Sequence, residues 1–394
     1  MPFIPSAFAR LLEPLDRRVI RAAVGKHDGD HAVGSGDNAW TCERHLKALL
    51  FAQFAGLQSL REIEAGLNGQ SASFYHLNLR APCRSTLSDA NAHRPAAVFR
   101  EIAAALVAVA AGKLRREGEE VIRLLDASPI PLKDGRFTWA EASARTRGLK
   151  LHLSYDPRAG RVTWFDVTSA KVDDVVAGRA VPLEKGATLV QDKGYTDYRW
   201  WSQIIAAEAF FVTRRKRNAH CRLVREQLPV GDGILADRLV KIGRRQPRGG
   251  APKNPLYDTV LRELVVAREG KAEPLVLLTS DLHRPANEIA QLYKERWQIE
   301  LLFKWLKQNL EIRRFLGRSE NAVRIQIYVA LIAFLLLRIL HHTAARGFKA
   351  GTALLLAQLR IGLFGPLRLA KIAKPPPKPP WLRPPNPQAC FAFP

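Results

Sequence analysis

From Met1 to about Gly112 apolar residues return every three or four positions, in "RHLKALLFAQFAGLQSLREIEAGL" and again in "AAVFREIAAALVAVAAGKL". That period predicts amphipathic helices and a strand-poor N-terminal region. After Glu120 the texture changes. "VIRLLDASPI" is a short apolar run, "LKLHLSYD" and "RVTWFDVTS" flank the turn-rich "PRAG", and "ATLVQDKGY" is a further apolar run. All four read as strands. "YRWWSQIIAAEA" has helical spacing and "FFVTRRK" reads as a fifth strand, so the predicted order is β-β-β-(α)-β-α-β. Asp126 then closes the first strand and Asp192 the fourth. Asn218 to Ser280 is Gly- and Pro-broken but contains "TVLRELVVARE" and "EPLVLLTSDL". It predicts a β-rich insertion, because loops of this length without structure of their own are rare. Beyond it the period is helical again: "YKERWQIELLFKWLKQNL" reads as one helix from Tyr293 to Leu310, and "IQIYVALIAFLLL" as a buried core helix, well short of the ~20 residues a bilayer span needs. After Gly351 a last helix leads into "KPPPKPPWLRPPNPQACFAFP", whose nine prolines exclude helix or central strand.

Within these elements, Asp173 and Asp174 suit a helix start, where acidic groups meet the helix dipole. Tyr195, Trp200 and Trp201 are expected to pack their helix, Trp297 and Trp305 to face the core, and Asp156 and Asp166 to face solvent. In "RSTLSDANAHRP", Ser85 is placed to cap a short helix exposing Arg84, Asn91 and Arg94. That segment reads equally as a helix-turn-helix-like DNA reader or as a connector with a solvated face.

Composition changes the picture through charge. The 394 residues carry 61 Lys plus Arg against 37 Asp plus Glu, a formal charge of +24. A field of that sign calls for a polyanion, and double-stranded DNA fits best because neutralising phosphates releases condensed counterions. A membrane surface is the weaker alternative and is not expected as a partner. The stretch Arg214 to Lys253 holds 12 of the basic residues against 3 acidic ones; Arg214, Arg215, Lys216 and Arg217 are expected at phosphates. The opening "MPFIPSAFARLLEPLDRR" meets charge at Arg10, unlike a secretory leader, so a cytoplasmic, nucleoid-associated protein is expected. Cys42, Cys83, Cys221 and Cys390 form no CxxC pair, which excludes the usual zinc and disulfide patterns.

On a helix at 100° per residue, Tyr293, Arg296, Glu300 and Lys307 fall within an arc of roughly 60°. Alone, such a stripe is a thin wet face. With two strand-end aspartates it becomes a third carboxylate for a shared cation: Asp126, Asp192 and Glu300 are oxygen donors of the kind Mg²⁺ or Mn²⁺ prefers. Two such ions serve in-line phosphoryl transfer. Glu311 shares the stripe but lies about 16 Å further along the axis.

"LLDASPI", "LVQDKGY" and the Y-(2)-R-(3)-E-(6)-K series Tyr293, Arg296, Glu300, Lys307 resemble the DDE signature of cut-and-paste transposases of the insertion sequence 4 family. "AQFAGLQSLREIEAGL" and "RSTLSDANAHRP" resemble that family's N-terminal domain, so the likeness runs from about residue 1 to residue 345. The resemblance implies an α/β fold: an RNase H-like catalytic core interrupted by a β-rich insertion, with an α-helical N-terminal domain. It implies that Asp126, Asp192 and Glu300 are catalytic and hold two metal ions, and that Tyr293, Arg296 and Lys307 grip DNA phosphates. It also implies a homodimer processing two transposon ends, cutting them and joining them to target DNA. One departure stands out. Family members that form a DNA hairpin hold a flipped base on an aromatic, often a tryptophan of the insertion, yet no Trp occurs between Trp201 and Trp297, so the resemblance does not extend to a hairpin step; Phe210, Phe211 and Tyr257 are the possible substitutes.

The expected units are a helical N-terminal, DNA-binding domain at 1–115, core at 116–217, insertion at 218–280, core with the glutamate helix at 281–350, and a helix with tail at 351–394. Two rival functions stay open at this stage: an RNase H-like nuclease without strand transfer, and an inactive DNA-binding relic.

Overall fold

The computed structural model describes residues 5–31, 33, 36, 39–114, 120–132, 135–140, 147–245, 253–268, 270–310, 312, 314–343 and 351–367. The proline-rich tail and Glu311 lie outside them.

Helices come first: α1 (Ala7–Leu12), α2 (Arg17–Lys26), α3 (Cys42–Ala55), α4 (Leu60–Gly69), α5 (Arg84–His93) and α6 (Ala96–Leu114). Their starts follow local chemistry. Ser59 accepts the Glu62 N–H while Glu62 reaches back to the Gln58 N–H, a capping box that opens α4. At α5 the cap is Cys83 and not Ser85, two positions earlier than expected. Only Arg84 of the three residues expected on its wet face is exposed. Asn91 is buried against His45 Nε2 at 3.0 Å, and Arg94 donates to the carbonyls of Gly29 and Trp40. Those two side chains hold the bundle together.

Next come β1 (Ile122–Pro131), β2 (Gly148–Asp156), β3 (Arg161–Ser169), α7 (Asp174–Gly178), β4 (Thr188–Gln191), α8 (Tyr198–Ala206) and β5 (Phe210–Arg214). They are followed by β6 (Cys221–Gln227), β7 (Ile234–Ile242), β8 (Leu261–Arg268), β9 (Lys271–Thr279), α9 (Ala286–Glu295), α10 (Trp297–Asn309), α11 (Glu320–Thr343) and α12 (Thr352–Ile361). Among the described residues the strands form one nine-stranded sheet in the order β3-β2-β1-β4-β5-β9-β8-β7-β6. β1, β2 and β3 are antiparallel neighbours, while β4 and β5 add parallel to β1. Parallel addition needs crossovers, and the segments carrying α7 and α8 supply them. β9 returns antiparallel on β5, so the four basic-region strands lengthen the same sheet.

Side-chain alternation gives the sheet two buried faces. Leu125, Leu189, Phe211 and Leu278 face one side, against Trp200 and Trp201 of α8. Trp201 stacks on Phe211 with ring centroids 4.6 Å apart. Leu124, Val190, Val212 and Leu277 face the other, where α9, α10 and α11 contribute to a core that runs on into α1–α6. α11 is the one helix among the described residues long and apolar enough to cross a membrane, and 89% of its apolar window is buried inside the protein. Its Tyr328 meets Phe165 of β3 and its Phe334 meets Trp305 of α10.

Two expectations fail here. Asp156 is buried, paired with Arg123 at 3.3 Å and Arg161 at 3.5 Å, and it accepts the N–H groups of Arg158 and Ala159 to close the β2–β3 turn. Trp297 is 44% exposed. The outward face of α10 is therefore the Trp297–Leu301–Lys304–Gln308 side, and its polar stripe turns inward to the sheet.

Candidate active site

The sheet register gathers the aspartates. Leu124 of β1 pairs with Val190 of β4, which pairs with Val212 of β5. Two residues on, and so on the same face, come Asp126, Asp192 and Arg214. Asp126 is mid-strand and not a strand end, because β1 continues to Pro131 against β2. What ends near it is the parallel seam, whose last pair is Leu125↔Gln191. Asp192 directly follows that pair and keeps an extended backbone. Gly178 of α7 lets that helix close on Tyr195: a Cβ there would meet the tyrosine ring at 2.9 Å. Tyr195 is 2% exposed and packs beneath the turn that carries Asp192.

The third carboxylate arrives from the helices. The segment from Tyr293 to Leu310 is not one helix: α9 ends at Glu295 and α10 begins at Trp297, with Arg296 as the joint. The Arg296 N–H donates to the Tyr293 carbonyl and the Ile299 N–H to the Arg296 carbonyl, three-residue bonds that tighten the junction. The stripe survives. Arg296 Nη2 donates to Glu300 Oε1 at 2.6 Å, and Nη1 lies 3.6 Å from Asp126 Oδ2. Further along α10, Lys307 Nζ donates to the Ser128 hydroxyl at 2.6 Å. Ser128 shares the Asp126 face of β1. Strand alternation two residues beyond the aspartate was the available signal for it, and the sequence reading passed it over.

Charge at this corner is concentrated. Burial pushes the Asp126 carboxyl up to about 6, aided by negative Glu300 and Asp192 and opposed by Arg296 and the Ala127 N–H. Burial also drives the Tyr195 hydroxyl well above its usual range, with Asp126, Asp174 and Asp192 acting in the same direction. Tyr195 therefore stays protonated beside the acids. Among the described residues, no three acidic, His or Cys side chains are drawn together closely enough to hold an ion as they stand. The Arg296 guanidinium sits between Asp126 and Glu300 instead.

The adjacent arginines part company. Arg214 lies on the Asp126–Asp192 row, and it acts with Arg296 to oppose the upward shift that burial gives Tyr293. Arg215 turns to β8 and pairs with Glu263 at 3.1 Å. Arg217 pairs with Glu273. Phe211 is fully buried and Tyr257 lies beneath Arg222, so neither aromatic is free to take a base. Asp173 and Asp174 do open α7.

A family model described as "Transposase DDE domain" matches residues 117–336, and a model described only as a domain of unknown function matches residues 5–80. A Sinorhizobium fredii protein named as a transposase, y4zB, is 45% identical over 265 residues, covering 66% of this chain and 72% of that one. A Geobacillus stearothermophilus protein named as a transposase for insertion sequence element IS5377 is 25% identical over 56% of each chain. Escherichia coli transposase InsG for insertion sequence element IS4 is 33% identical over 84 residues, 21% of this chain and 19% of its own. In fold, the chain resembles a piggyBac transposase solved as a synaptic complex with hairpin DNA: TM-score 0.52, 9% identity, 92% of this chain and 80% of that one.

Proposed function

The chain belongs to the transposase DDE domain family, and on that premise we propose that it is an insertion sequence 4-type transposase. It binds the two ends of its element, hydrolyses a phosphodiester at each, and joins the freed 3′-hydroxyls to target DNA. The observation that carries this reading is the common face and level of Asp126 and Asp192, with Glu300 tied to Asp126 through one guanidinium.

The donor chemistry fits a divalent metal. Three carboxylates supply hard oxygens, and burial of Asp126 among like charges creates a need for positive charge. Asp126, Asp192 and Glu300 would hold two Mg²⁺ or Mn²⁺ ions. When bound, the ions supply an activated water or hydroxyl and stabilise the leaving oxygen. The chain's own cations do the positioning. Arg296 offers a fork to phosphate oxygens, Tyr293 a hydroxyl on a rigid ring, and Lys307 a point charge whose place is set by Ser128. Arg214 extends that basic line on the same level. In this reading residues 1–115 bind DNA, the core at 116–217 and 281–350 is RNase H-like, and 218–280 is its insertion. Two ends processed together call for a homodimer on DNA.

The test is strand transfer. With DNA ending in the inverted repeats that flank the coding region, pre-cut to expose the 3′-hydroxyl, Mg²⁺ should yield covalently joined product. Hydrolysis with no joined product would leave a nuclease.

A pH dependence follows from the Asp126 environment. With its carboxyl held near 6, protons compete with a cation far above the ordinary carboxylate range. Mn²⁺ binding to the protein, followed by calorimetry, should weaken about tenfold per pH unit below about pH 6. Constant affinity down to pH 5 would remove Asp126 from the ligand set.

A further inference from the structure

We propose that Arg296 is a latch: it keeps the carboxylates closed to divalent cations until a DNA phosphate draws its guanidinium away. The inference rests on the reading of Asp126, Asp192 and Glu300 as metal ligands and adds a regulation of that site.

Geometry is the first argument. One guanidinium contacts two of the three carboxylates, at 2.6 Å to Glu300 and 3.6 Å to Asp126. A cation bridging Asp126 and Glu300 would need the space and the charge that Arg296 now fills. Two positive centres cannot share that gap, since their repulsion in a partly desolvated site exceeds what either gains. The arginine must leave before the ion enters.

The second argument is that Arg296 is poorly satisfied where it stands. Its side chain is only 16% exposed, its Nε is buried with no hydrogen-bond partner among the described residues, and its approach to Asp126 is too long for a hydrogen bond. A guanidinium has five N–H donors; here one makes a short bond to the Glu300 carboxylate, the group also interacts with the Tyr293 side chain, whose ring centre lies 5.7 Å from the guanidinium carbon, and Nε has no partner among the described residues. A phosphate can take two of them in parallel, so exchanging Glu300 for DNA improves the partner set. The position favours the exchange. Arg296 is the joint between α9 and α10, with Glu300 one turn on, so the side chain can leave without moving either helix.

The consequence is coupling. DNA and metal should each tighten the other's binding by the same factor, on the order of tenfold. A cation would be taken up chiefly by protein already on DNA, which restrains cleavage by the free chain.

Mn²⁺ binding to the full-length protein, read from the free-ion electron paramagnetic resonance signal, tests this with and without a short mixed-sequence duplex. The unmodified protein should bind Mn²⁺ weakly alone and about tenfold more tightly with the duplex. Arg296→Gln should bind tightly alone and gain nothing from DNA. Arg296→Lys, which keeps the charge and loses the fork, should lie between and serves if the glutamine variant does not fold. Arg296 variants that bind Mn²⁺ no better than the unmodified protein would overturn the latch. Asp126→Asn separates that failure from a deeper one: if it leaves Mn²⁺ binding unchanged, the metal-site reading itself falls and the latch falls with it.

Discussion

Replacing Asp126 by asparagine is expected to abolish DNA cleavage while making the free protein more stable. The amide keeps the shape but cannot supply an anionic oxygen. If Asp126 is one of the carboxylates that would hold the metal, as proposed above, its loss forfeits several kcal/mol of transition-state stabilisation, a rate loss of at least about a thousandfold. The stability gain has a separate origin. Folding moves this carboxyl from an ordinary 3.8 up to about 6, so the folded state holds the charged form less willingly than the unfolded chain does. That penalty is present in full above about pH 6, relaxes as pH falls through the folded value, and is gone below the unfolded one. At neutral pH it is about 3 kcal/mol, which the uncharged asparagine escapes. The pull of Arg296 is already counted in that net shift. A higher melting temperature with no cleavage is thus the expected pair of results, and the excess stability of the variant should vanish near pH 4. A cleavage-competent variant would remove Asp126 from the reaction, and a less stable one would show that burial does not penalise its charge.

The largest stability loss is expected at Arg262. Its guanidinium donates to both carboxylate oxygens of Asp237, at 2.8 and 2.5 Å, and also to the Arg284 carbonyl just before α9. Asp237 is 3% exposed. Arg262→Leu leaves that carboxylate buried without its counterion, which costs about 3–5 kcal/mol. Because the same arginine anchors the approach to α9, cleavage should fall along with stability. Arg262→Leu combined with Asp237→Leu should recover most of the stability, since burial penalises an unpaired charge far more than a missing pair. Chemical denaturation of the single and double variants measures both. A double variant as unstable as the single would show that the pair's geometry, and not its charge balance, holds β7 to β8.

Much of this was legible in the residues. The helical period before Gly112, the run of strands after Glu120 and the helix after "QDKGY" are local patterns, and local pattern is what sequence displays. Trp200, Trp201 and Tyr195 were expected in the core and are there, because large apolar groups beside a strand end have few other places to go. Where the reading failed, the cause was a partner distant in the chain. Asp156 was expected to face solvent and is buried because Arg123, 33 positions earlier, meets it. Asn91 and Arg94 looked solvent-facing until the carbonyls of Gly29 and Trp40 and the ring of His45 were brought beside them. Trp297 turned outward because the polar stripe of its helix claimed the inner side.

By itself the sequence determined the types and the spacing: three acids, a stripe of Tyr, Arg, Glu and Lys, and a strong positive charge. It could not determine level or direction. Strand pairing alone puts Asp126 and Asp192 on one face at one height, since a shift of a single residue would send either one to the other side. Likewise only packing decided that the stripe faces the sheet and that Arg296, at a joint the periodicity does not reveal, lies between two of the acids. Periodicity describes one element at a time; the relation between elements comes from the contacts that bury them.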